Sequence, residues 1–150
     1  MENIDLEYLC TTIGNLAGIP IRIFEDGVQT FYHSVVYLPK DPMTLCREDI
    51  FTITNHVGYC VTPQFHYYGV VNSGSAKIVV GPTRQIAETD QELRELAFRL
   101  DLSGEEAEAM ISGMRSIVRM PMESVLQMLC TINYVLNEEK LQLKDISIYE

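Results

Sequence analysis

Four cysteines and three histidines are the side chains of this chain with the widest chemical reach, since thiolate and imidazole serve as nucleophile, base or metal ligand near neutral pH. Cys10, Cys46, Cys60 and Cys130 lie far apart in apolar or mixed surroundings, with no C-x-x-C pair and no histidine at metal-ligand spacing. That pattern predicts reduced thiols inside a core, where free cysteine is commonly found. Two disulfides remain open on count alone, but the start Met1-Glu2-Asn3-Ile4-Asp5 lacks a signal-peptide pattern, which argues against the oxidising compartment they need. His33, His56 and His66 are too scattered to define a metal site by spacing. The signatures G-x-S-x-G, H-E-x-x-H and the P-loop are missing. Glu105-Glu106 and Glu138-Glu139 fall at helix starts or in loops, where nothing raises a carboxyl toward acid-base work. No catalytic residue, metal or cofactor is expected, and the enzyme class is set aside.

The stretch from His56 to Tyr68 is dense in groups that recognise small molecules. If it forms strands, alternation puts Tyr59 with Val57 and Val61 on one face and Cys60 with Gly58 and Thr62 on the other. On the following strand Phe65, Tyr67, Gly69 and Val71 share a face, opposite His66, Tyr68, Val70 and Asn72. Each face thus receives an aromatic ring with a polar tip. Small-molecule pockets combine apolar walls with a few placed hydroxyls and imidazoles. His56, Tyr59, Cys60, Phe65, His66, Tyr67 and Tyr68 are therefore the candidate ligand-binding residues for a small-molecule effector whose identity the sequence does not give. The competing reading is that tyrosines, as good strand formers, simply cover a sheet.

The elements that must position these groups follow from periodicity. Apolar residues at Leu6, Leu9, Cys10, Ile13, Leu16 and Ala17 predict a short helix, with Asp5 as cap and Gly18 and Pro20 as stops. Ile19–Phe24 and Val28–His33 predict a hairpin around Asp26-Gly27. Leu38–Asp49 holds two prolines and predicts a loop with a short helix, capped by Asp41 or Asp49. Val57–Thr62, Phe65–Asn72 and Ala76–Gly81 predict a three-stranded antiparallel meander. Thr89 with Glu92 reads as a capping box before Leu93, Leu96, Ala97 and Leu100, and Ser103 with Glu106 repeats that signal for a second helix. Pro121 is placed as the first residue of a third, running to about Asn137. The tail from Leu141 to Tyr149 alternates apolar and polar residues without an evident partner. The class is α+β: a five-stranded, mostly antiparallel sheet with an N-terminal helix and C-terminal helices, in the element order of PAS and GAF sensor modules.

With 150 residues, 47% of them hydrophobic and 21% charged, the chain has the make-up of one folded domain. Twenty-one acidic against eleven basic residues leave a net charge of −10, which opposes binding to a phosphate backbone by this segment. The excess sits in residues 85–108, with eight acids and two bases, and reads as a solvated face or a docking surface for a basic domain. No run of apolar residues is long enough to span a membrane, so no membrane partner and a cytoplasmic location are expected. The helix Pro121–Asn137 carries its core stripe on Val125, Leu126, Leu129, Ile132 and Leu136. Met128, Cys130, Tyr134 and Val135 make its other faces apolar too, which predicts burial or a partner surface. These four are the candidate homodimer interface.

The runs His56-Val57-Gly58-Tyr59, Pro63 through Gly74, Lys77 through Thr83 and Glu92 through Leu100 resemble the N-terminal sensory region of AraC-type transcription regulators of clostridia and related gut bacteria. Ser116 through Pro121 and Ile132-Asn133-Tyr134 extend the likeness over most of the chain. The resemblance implies a sensory and dimerisation domain over residues 1–150, with a DNA-binding helix-turn-helix domain following Glu150. It implies no particular ligand.

Overall fold

The first helix, α1 (Leu6–Ala17), begins where Asp5 accepts a hydrogen bond from the Tyr8 amide at 3.0 Å and ends at Gly18 in the left-handed region. The structure, a computed structural model, describes residues 4–149; Met1–Asn3 of the start sequence and Glu150 lie outside the described residues. Strands β1 (Ile21–Glu25) and β2 (Val28–His33) follow. Asp26 and Gly27 between them both have positive φ, the two-residue turn whose twist suits a hairpin. A 3-10 turn (Pro42–Leu45) and α2 (Arg47–Thr52) cross over to the meander of β3 (Val57–Val61), β4 (His66–Ser73) and β5 (Ala76–Arg84). Helices α3 (Asp90–Arg99), α4 (Gly104–Arg115) and α5 (Met122–Asn137) complete the chain, with a second 3-10 turn (Leu143–Asp145) and β6 (Ser147–Tyr149).

The sheet order is β2-β1-β5-β4-β3-β6. The first five strands pair antiparallel, as the sequence predicts, and the architecture is α+β with a PAS/GAF-like layout. The tail supplies a sixth, short strand, which pairs parallel to β3. Its partner lies some ninety residues earlier, so no local pattern could announce it. Smaller differences are local. Asp41, not Asp49, caps the crossover turn, accepting from the Met43 amide at 3.0 Å. Ser103 occupies the cap of α4 without a side-chain hydrogen bond, whereas the Thr89–Glu92 box is complete. Pro121 precedes α5 in extended conformation instead of opening it.

Alternation along the strands sorts the core. Ile21, Ile23, Val57, Val71, Ile78 and Val80 face one way, under Cys10 of α1 and Leu129 and Ile132 of α5. Phe24, Cys60, Tyr68, Val70 and Val79 face the other, under Met43, Cys46, Ile50 and Ile53 of the crossover. Helices α3 and α4 pack on each other around Leu93, Leu96, Met110 and Met114 as a third cluster that also takes Val36 and Leu38. Burying side chains of this size stabilises the fold by about 1.5–3 kcal/mol each before the opposing loss of chain entropy. Among the described residues no helix is long and apolar enough to cross a membrane.

Candidate functional site

The face of the sheet under the crossover carries an unusual charge. Arg22 alternates with Ile21 and Ile23 on β1 and is fully buried. Its Nε and Nη2 donate to Asp41 at 2.5 and 2.6 Å, and Nη1 donates to the Gly81 carbonyl at 2.8 Å. The guanidinium lies 5.2 Å from the Tyr32 ring centre and 5.8 Å from that of Tyr68. Burial alone would lower its pKa, but the hydrogen bond and charge of Asp41 outweigh it and raise it. One charge thus ties the crossover to the sheet. The β4–β5 register slips at Tyr68, which stands against two residues, Gly81 and Pro82. Such a bulge re-aims the side chain beside it.

A second ionic group closes the end of the sheet toward α3. Glu88 accepts from His66 Nε2 at 2.7 Å and from Arg84 Nη1 at 2.6 Å. Arg84 also donates to the carbonyls of Ile117 and Arg115, so the same group secures the segment between α4 and α5. Burial would raise the Glu88 carboxyl, but the hydrogen bonds from His66 and Arg84 hold it down at about 2. His66 is thereby fixed, with its backbone amide also donating to Thr62 Oγ1.

Between these two anchors lies a hollow of about 170 Å³, walled by the β3–β4 hairpin, the crossover and α3. Its floor is made of Cys46, Cys60, His66 and Tyr68, all buried. Asp49 and Arg99, both exposed, stand at the rim with opposite charge. Burial pushes the Tyr68 phenol well above its usual pKa despite the nearby Arg22 charge, so the ring keeps its proton and can donate. Cys46 and Cys60 pack in one cluster, and each thiol shifts the titration of the other. The hollow therefore offers thiol, phenol and imidazole within, and one carboxylate and one guanidinium at the mouth. That equipment suits recognition of a small polar molecule.

Of the residues singled out in the sequence, Cys60, His66 and Tyr68 share this hollow. The other four lie elsewhere. His56 is exposed before β3 and its Nδ1 bonds Glu139 at 2.9 Å. Tyr59 and Tyr67 are half-buried on positions that alternate with Cys60 and with His66 and Tyr68. Phe65 sits in the turn with positive φ, 56% exposed. The histidines do not meet: His33 bonds Asn15, His56 bonds Glu139 and His66 bonds Glu88. Sequence reasoning missed Cys46, Asp49 and Arg99, which enter from the crossover and α3. It also missed Arg22 and Arg84, although a charge inside a run such as Ile21-Arg22-Ile23-Phe24 is a signal of a buried ion pair.

The four apolar α5 residues do not form one face. Cys130 is closed over by its own chain at 6% exposure, and Met128 is half-buried against the core under α5. Val135 is half-buried, and Tyr134 stands out at 52% among the exposed Glu123, Gln127 and Thr131. No family model matches the chain, and neither does any curated protein or solved structure.

Proposed function

We propose that this chain is the ligand-sensing and dimerisation domain of a bacterial transcription regulator of the AraC type, and that it takes a small polar effector in the hollow between β3, β4 and the crossover. The observation that carries the reading is the floor of that hollow, where Cys46, Cys60, His66 and Tyr68 bring polar groups together at the edge of an apolar cluster. The likeness of the runs around His56–Gly74 and Glu92–Leu100 supports the regulatory context. At about 170 Å³ the hollow is smaller than the pockets that take drug-sized ligands, which favours an effector nearer the size of an amino acid or short hydroxy acid than of a nucleotide. Self-association rests on Tyr134 with the half-buried Val135 next to it in sequence, Met128 being taken up by the core. Cys130 has no part in it. DNA binding belongs to a helix-turn-helix domain outside this segment, in keeping with the net charge of −10.

The test is a thermal-shift panel of amino acids, short hydroxy and keto acids and small sugars, with nucleotides as size controls, run beside sedimentation of the protein. A compound present at a hundred times its Kd should raise Tm by roughly 5–10 °C in a domain of this length, and Tyr68→Phe or Thr62→Val should diminish that rise. A panel without response, alongside dimers that Tyr134→Glu dissociates, would replace this reading with that of a ligand-free interaction module.

A further inference from the structure

Cys46 and Cys60 are separated by thirteen residues, and neither has a cysteine nearby in sequence. The fold brings them together. Cys60 lies on the face of β3 that the crossover covers, and Cys46, at the junction between the 3-10 turn and α2, packs in the same cluster. Both residues pack in one cluster and line the same hollow, so a small solute entering there reaches the two cysteines together. The other two cysteines serve as internal contrasts. Cys10 lies in α1, which covers the opposite sheet face, and Cys130 lies in α5, each a free thiol.

We propose that Cys46 and Cys60 form a redox-modification site, in which a peroxide admitted to the hollow converts the two thiols packed there to a disulfide linking the crossover to β3. The reaction balances with hydrogen peroxide as the oxidant: two thiols and one peroxide give one disulfide and two waters. The first attack is written for Cys60, whose pKa the neighbouring Cys46 lowers; the disulfide formed is the same whichever sulfur attacks first. The Cys60 sulfur takes one peroxide oxygen as the O–O bond breaks, leaving a sulfenic acid at Cys60, and the first water departs with the Cys60 proton. The Cys46 sulfur then attacks the Cys60 sulfur, displacing hydroxide, which takes the Cys46 proton and leaves as the second water. Closing the sulfurs to a bond of about 2 Å draws the start of α2 onto the sheet at the wall of the hollow. Burial opposes thiolate formation at Cys10, whose pKa is pushed up to about 12, and at Cys130. Neither joins the reaction.

The experiment treats the native, reduced protein with hydrogen peroxide, unfolds it in N-ethylmaleimide and digests it with trypsin without reductant. Cleavage after Lys40, Arg47 and Lys77 places Cys46 and Cys60 in separate peptides, 41–47 and 48–77, each with a single cysteine. The expected result is loss of two of the four maleimide labels and appearance of one species joining those two peptides, two hydrogens lighter than their sum. Replacing Cys46 by Ser should leave the sulfenic acid at Cys60 unresolved, so that dimedone labels the 48–77 peptide in the variant and not in the fully oxidised wild type. Four labels surviving treatment, a disulfide involving Cys10 or Cys130, or Cys60 over-oxidised without a link to Cys46 would overturn the proposal. The peptide map of the wild type decides the matter even if the variant fails to fold. Because no effector enters the assay, its outcome is independent of the sensing role.

Discussion

Removing the charge of Glu88 tests the ionic group that closes the sheet toward α3. Its side chain is only 4% exposed and accepts from two donors, His66 Nε2 and Arg84 Nη1. Glu88→Gln keeps the shape but replaces one acceptor oxygen by an NH2 group that faces a donor. The size of the effect follows from the carboxyl pKa, held at about 2 against an ordinary 4.5. At about 1.4 kcal/mol per pH unit, a depression of that extent represents roughly 3 kcal/mol of folding stability at neutral pH. The sign is set by the direction. A carboxyl whose pKa is lowered by folding contributes fully above 4.5, where it is ionised in both states, and loses that contribution as pH falls through 4.5 toward 2. Urea unfolding of wild type and variant, followed at steps from pH 7 to 2.5, should show a gap of roughly 3 kcal/mol at pH 7 that shrinks below pH 4.5. Domains commonly have about 5–15 kcal/mol of stability in total, so the variant should still fold. A gap of the same size at pH 6 and pH 2.5 would show that shape and not charge matters at this position. A gap under about 0.5 kcal/mol at pH 7 would place the group among exposed pairs of little worth.

Two further outcomes are expected from unfolding curves of single variants. Asp41→Ala leaves the fully buried Arg22 without its carboxylate and should cost about 3–5 kcal/mol, whereas Arg22→Met combined with Asp41→Leu should cost clearly less because no charge is stranded; equal losses in the two proteins would refute the role given to the pair. Gly113→Ala lies within α4, where alanine ordinarily gains about 1 kcal/mol, yet a Cβ there would stand 2.3 Å from the Tyr37 carbonyl oxygen and 2.7 Å from Leu38 Cδ2. A net loss of about 1–3 kcal/mol is therefore expected, and any stabilisation would show that the segment through Tyr37 yields freely.

What the sequence determined is local. Asp5 and Gly18 bound α1, Asp26-Gly27 turns β1 into β2, and the Thr89–Glu92 box opens α3, because each signal acts within a few residues and does not depend on what packs above it. Alternation likewise separated Cys60 from Tyr59, and His66 and Tyr68 from Tyr67, since side chains on a strand have a period of two. Which of those faces meet, and what covers them, was decided by tertiary structure. The register pairs Cys60 with Tyr68, and the crossover sets Cys46 above them. Four thiols that look unrelated in sequence thus become one pair and two isolated groups. The same holds for Arg22 with Asp41 and for Arg84 and Glu88 with His66, whose long-range partners come from separate elements. The apolar surplus of α5 marks the limit of reading composition as surface. Met128 and Cys130 look spare on a helical wheel, but the core under α5 and the chain's own cover over Cys130 take them up, because a half-buried helix is closed by more than the sheet it lies on.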